Sequence, residues 1–162
     1  MNDTPDLIDG LKRSGRILAG FVETIPAEKM NLLRGEGFWS IAEHVSHLAQ
    51  VQPMLFDRLE RFMSEDRPEF VPYIPGDGET ESRLPAMEMN AALESFAHQR
   101  DRQIALLEKA ETADWHKTGI HPQYELYTMH ILVRHILMHD HWHMYRMEEL
   151  WLARDAYLTR LE

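Results

Sequence analysis

Histidine dominates the residues that could do chemistry here. The 162-residue chain has ten, and His130, His135, His139, His141 and His143 fall in one short stretch. His139 and His143 are four residues apart, a rise of about 6 Å that returns a helix to nearly the same face, so both rings can point at one ion. A first-row metal takes imidazole nitrogen at about 2.0–2.1 Å, and a pair at this spacing is a common way to supply two ligands. A third must come from another helix. On a helical wheel His139 and His143 lie on the shoulder of an apolar stripe, and His47, two turns beyond a helix start, flanks the Ile41/Leu48/Val51 side of its own helix. Three neutral imidazoles leave coordination positions open, the arrangement of a catalytic metal. Competing readings stand beside this one. His135 continues the row one turn earlier, so the row also reads as a histidine-rich helix face. His44, nearer the core, competes with His47 for the third place, and His141 points elsewhere.

Charges on apolar stripes are the second signal. Arg100 falls mid-stripe on one helical segment and Asp140 on another, and an inward charge is costly unless paired. The two are expected to pair with each other, or Arg100 to face the pocket and hold an anionic substrate group. Arg100, Asp140 and Tyr145 are the candidate catalytic residues, with Glu43 a further candidate acid or base. Tyr124, Tyr127 and Tyr145, like the methionines, otherwise read as packing groups.

Four helical segments must position these side chains. The first runs from Pro5 to Thr24. The second begins at Ser40, where Ser40-Ile41-Ala42-Glu43 spells a capping box, and continues to Phe62 as one helix kinked at Pro53. Trp39 before the cap reads as a hydrophobic staple facing His44. A long loop from Arg67 to Pro85, rich in Pro and Gly, is expected to roof the groove. The third helix runs from Pro85 to Lys109 and the fourth from Leu126 to Arg154. No segment shows sustained strand-type alternation, so the expected fold is all-α: a four-helix bundle with long connecting loops, one domain over residues 1–162.

Composition narrows the partners. With 17 Lys+Arg against 27 Asp+Glu, the net charge is −10, which argues against nucleic acid and anionic membranes. The absence of cysteine excludes disulfides and a thiol nucleophile from the chain itself and fits a cytoplasmic location. No signal peptide or membrane span is expected. Gly35-Glu36-Gly37 lacks the strand and third glycine of a phosphate loop.

Trp39-Ser40-Ile41-Ala42-Glu43 followed by His47-Leu48-Ala49, the approach Tyr124 to Thr128, and the later His139-Asp140-His141-Trp142-His143 resemble the DinB/YfiT-like superfamily of small bacterial helical proteins. The resemblance covers the whole length in architecture, with distinctive motifs on the second and fourth helices. It implies a four-helix bundle binding a divalent metal, commonly nickel or zinc, through His47, His139 and His143; three histidines also suit iron and copper. It further implies a homodimer, a small-molecule substrate, and metal-activated transfer of a low-molecular-weight thiol as co-substrate. The alternative functions are a non-catalytic metal- or ligand-binding protein and a structural dimer with a vestigial site. One departure from the family pattern bears on substrate contacts: Met144 stands where a glutamine often follows the last histidine.

Overall fold

The computed structural model describes residues 3–71 and 86–159. Its long helices are α1 (Thr4–Thr24), α3 (Ile41–Gln50) continued by α4 (Gln52–Ser64), α5 (Met89–Leu107) and α7 (Met129–Leu152); α2 (Ala27–Met30) and α6 (Thr112–His116) are short connectors. The helices pack as a four-helix bundle in which α1 and α3 each lie against both α5 and α7, and α4 lies against α5. On α1 the buried positions Leu7, Leu11, Ser14, Leu18 and Val22 recur at helical spacing, and each fully buried leucine contributes about 1.5–3 kcal/mol.

The second segment, expected as one helix kinked at Pro53, is divided into two helices. Pro53 has no amide hydrogen for the carbonyl of Ala49, and the ladder resumes through Leu55, which donates to Val51 at 3.1 Å. The result is two helical segments joined at Val51, whose backbone remains helical (φ −80°, ψ −17°). The third helix begins at Met89, later than Pro85, with the Glu88 carboxylate accepting from the amides of Asn90 and Ala91. Pro85, and residues 72–85 of the loop expected to roof the groove, lie outside the described residues.

A hairpin was not expected. Strands β1 (Thr118–His121) and β2 (Tyr124–Thr128) pair antiparallel, Thr118 opposite Thr128 and His121 opposite Tyr124. The fourth helix therefore starts at Met129 instead of Leu126, capped by Thr128, whose hydroxyl accepts from the Ile131 amide at 3.2 Å. Strands of four and five residues are too short for a period of two to stand out. Gly119 is required in β1, because a Cβ there would come within 2.8 Å of the Phe70 ring and 3.0 Å of the Pro68 carbonyl. No helix among the described residues is long and apolar enough to cross a membrane.

The core is divided by a polar layer. One apolar cluster gathers Leu11, Leu59, Phe62 and Val133; the other gathers Leu18, Ile41, Leu48, Phe96 and Met147. Between them each bundle helix contributes buried polar residues: Ser14 from α1, Gln52 from α4, Arg100 and Gln103 from α5, and Asp140 from α7. Arg100 pairs with Asp140 (Nη1 to Oδ2 2.8 Å, Nη2 to Oδ1 3.1 Å) and also donates to Ser14 and to Gln52 at 3.2 Å. Ser14 donates to Asp140 Oδ2 at 2.8 Å, and Gln103 donates to Gln52 Oε1 at 3.0 Å. A network with these directional demands fixes the rotation of α7 about its axis. Residue 139 is thereby turned toward the α3 side.

Candidate metal centre

His47 on α3 and His139 and His143 on α7 converge. Their candidate ligand atoms all lie within 4.8 Å of one another, with His139 Nε2 at 3.2 Å from His47 Nε2 and 3.1 Å from His143 Nε2. Two ligands about 2.0–2.1 Å from one ion stand about 2.9 Å apart at a right angle and about 3.4 Å apart at the tetrahedral angle, so both spacings suit a shared ion. Mutual hydrogen bonding satisfies the rings less well. One imidazole nitrogen carries either a hydrogen or a lone pair, so His139 Nε2 can serve both neighbours only by dividing one hydrogen, or one lone pair, between them. A cation accepts all three lone pairs.

The sequence supplies this arrangement locally. The capping box forms as its motif specifies: the Ser40 hydroxyl accepts from the Glu43 amide at 3.2 Å and Glu43 Oε2 accepts from the Ser40 amide at 2.6 Å. It sets the start of α3, and hence the phase at which His44 and His47 emerge. Trp39, at the cap entrance, lies against three rings at once, stacked on His143 (centroids 6.0 Å apart, 20° between planes) and tilted against His44 and His47. It covers the imidazoles as well as entering the helix.

His44 takes a place of its own. It is buried, and its Nδ1 lies 2.7 Å from Nδ1 of His143. With the Nε2 lone pair of His143 given to an ion at the centre, its hydrogen would sit on Nδ1 and be donated to His44. An outer partner of this kind fixes a ligand's tautomer and ring plane. His44 thus backs a member of the cluster and does not replace His47. Nδ1 of His139 is buried with no partner among the described residues.

Burial holds these rings neutral. Desolvation, with the nearby Arg146 and His47 charges, pushes His44 down to about 3. Desolvation likewise lowers His47 to about 4, reinforced by His139, and His139 to about 4, reinforced by Arg100. His143 is depressed further by the same cause and by its three neighbours. Neutral imidazole is the ligating form. Each folded-state value lies below the unfolded 6.5, so on acidification the unfolded chain takes up protons first. The metal-free protein is therefore expected to keep this stability above pH 6.5 and to lose it progressively as pH falls toward about 4. Thermal unfolding at stepped pH checks it; a melting temperature that does not fall across that window is the contrary result.

The other sequence candidates lie apart from the cluster or are already engaged. Arg100 and Asp140 pair with each other in the polar layer. Tyr145 is 64% exposed on the outer face of α7. Glu43 is held in the capping box, His141 is exposed, and His130 bonds Asp3 at 2.7 Å. His135 is half-buried and faces a cavity that also has His139 in its wall. The sequence does not single out Arg58, His121 or Gln123 of that cavity, and Tyr124 and Tyr127, which read as packing groups, also line it. The run Tyr124 to Thr128 carries no alternation that marks a strand: only Tyr127 in it is buried, beside an exposed Leu126 and a half-buried Thr128.

Comparison with known proteins follows the same lines. A family model described as the DinB superfamily matches residues 11–154. Among solved structures, YfiT from Bacillus subtilis, described as a probable metal-dependent hydrolase with an unusual four-helix bundle topology, superimposes with a TM-score of 0.77 at 21% identity, covering 91% of this chain and 85% of that one. At that identity the likeness establishes the fold. No curated protein matches the chain.

Proposed function

This chain belongs to the DinB superfamily, and from that premise we propose that it is a metal-dependent enzyme whose His47, His139 and His143 hold a divalent ion. The observation that carries the reading is the approach of three neutral imidazoles to one point, beside a cavity that shares His139. YfiT, described as a probable metal-dependent hydrolase on the same fold, supports it.

When bound, such an ion acts as a Lewis acid that lowers the pKa of a water or thiol and supplies a nucleophile near neutral pH. The protein's own residues orient and shield. The capping box and the polar layer hold α3 and α7 in phase, His44 aligns the His143 ring, and Trp39 covers the rings on one side. Three protein ligands leave room for a substrate group. The nucleophile assigned here is a low-molecular-weight thiol. Asp140 is committed to Arg100 and Ser14, and the cavity wall carries no carboxylate among the described residues, so no carboxylate is placed there as a general base for water, and the neutral rings of His121 and His135 are the groups in that wall able to accept a proton. A thiol, with an ordinary pKa of about 8.5, needs less help than water to ionise. Zinc and nickel are both compatible with three imidazoles.

The test is turnover of protein purified without a nickel column and loaded with zinc or nickel, assayed against small thiols paired with an electrophile and against hydrolysable esters and amides. Metal-dependent thiol conjugation is expected, with none from metal-free protein. Turnover of esters or amides alone would move the assignment to hydrolysis; bound metal without any turnover would make this a metal-binding protein.

A further inference from the structure

A cavity of about 180 Å³ adjoins the imidazole cluster, with His139 in its wall. Its lining has two characters. Leu55, Leu132 and Ile136 make an apolar part; Arg58, His121, His135 and Tyr127 make a polar one. No Asp or Glu takes part among the described residues, and Arg58 is the one fixed charge. That is a notable bias in a chain with ten more acidic than basic groups.

Arg58 faces this cavity with no carboxylate paired to it among the described residues. Its guanidinium, half-buried, donates to the Val71 carbonyl at 2.7 Å and bonds the Tyr127 hydroxyl. These contacts hold it in place without neutralising it. The fork geometry of a guanidinium matches a planar oxyanion better than any other ligand group. His121 and His135 are shifted toward the neutral form by burial, with Arg58 acting on the first and Arg134 on the second, so they offer hydrogen bonds and no competing charge.

We propose that this cavity is the substrate pocket for a small organic monoanion, whose carboxylate pairs with Arg58 and whose apolar body lies against Leu55, Leu132 and Ile136. The end away from the carboxylate then meets the His47–His139–His143 centre. A cavity near 150 Å³ accommodates benzene, so the enclosed body has about six to eight non-hydrogen atoms. The inference rests on the reading of that centre as the reactive one, and it makes Arg58 the residue that selects for charge.

Benzoate and its neutral isostere benzamide are the probes, titrated calorimetrically into metal-free and zinc-loaded protein near neutral pH. Benzoate is expected to bind one per chain in both forms, about tenfold or more tighter than benzamide, the scale of one charge-assisted hydrogen bond. Arg58→Gln is expected to erase that preference by weakening benzoate alone, and Arg58→Lys to retain part of it, because the charge stays and the fork is lost. Both variants should bind zinc as the wild type does. The proposal is overturned if benzamide binds as well as benzoate, if Arg58→Gln leaves benzoate unchanged, if benzoate needs zinc and ignores Arg58, or if benzoate does not bind. A protein that binds benzoate through Arg58 but takes up no zinc would support the pocket and overturn the metal centre, so the two failures are distinct.

Discussion

Replacing His139 with alanine is expected to abolish tight metal binding. His139 is the middle member of the cluster, its Nε2 at 3.2 and 3.1 Å from those of His47 and His143, and its removal leaves two ligands on different helices with nothing between them. Losing an outer-shell partner typically costs 10–100-fold in affinity; losing this ligand should cost more than about 100-fold. The effect is readable as stability. A ligand present at 100 times its Kd stabilises a protein by about 2.7 kcal/mol, which for a chain of this size raises the melting temperature by roughly 5–11 °C. Wild-type protein should show that rise with zinc and the variant none. Equal shifts in both proteins would mean that zinc is held elsewhere.

Replacing Asp140 with alanine is expected to be among the most destabilising single changes in the chain. Arg100 and Asp140 are 2% and 1% exposed, so the variant strands a buried guanidinium with only Ser14 and Gln52 as partners. Breaking a buried pair from one side costs about 3–5 kcal/mol, which lowers the melting temperature by roughly 6–20 °C at this chain length. Arg100→Met combined with Asp140→Leu removes both charges and should recover most of the loss, since apolar replacement of a buried pair is often near neutral. The double variant isolates the layer's second role. Because the layer also sets the rotation of α7, zinc affinity is expected to stay reduced in the double variant although stability returns. A loss below about 1 kcal/mol in Asp140→Ala would show that the layer is not under this constraint.

The residues that declared themselves in the sequence are those whose signal is local. The capping box is a contiguous motif, the spacing of His139 and His143 is one helical turn, and Pro53 interrupts a ladder wherever it stands. Each needs only its own helix to be read. Arg100 and Asp140 were legible as charges on apolar stripes, but their partners Ser14, Gln52 and Gln103 were not, because small or amide side chains on a stripe carry no mark until four helices meet. The position of His44 shows the same limit. Its ring is one turn from His47, and only the packing of α3 on α7 decides that it meets Nδ1 of His143. The hairpin escaped for another reason: Tyr124 to Thr128 is a single short run leading into a helix cap, and an apolar residue at Leu126 extends the helical stripe just as well. With the hairpin went the polar wall of the cavity, which combines Arg58 from α4 with His121 and Tyr127 from the two strands.

Metal-edge anomalous scattering from crystals grown with zinc, using protein never exposed to a nickel column, examines the ligand set head-on. A single peak bonded to Nε2 of His47, His139 and His143 at about 2.0–2.1 Å is the expected outcome. A peak coordinated by other side chains, or rings that stay in mutual contact with no peak between them, would contradict it.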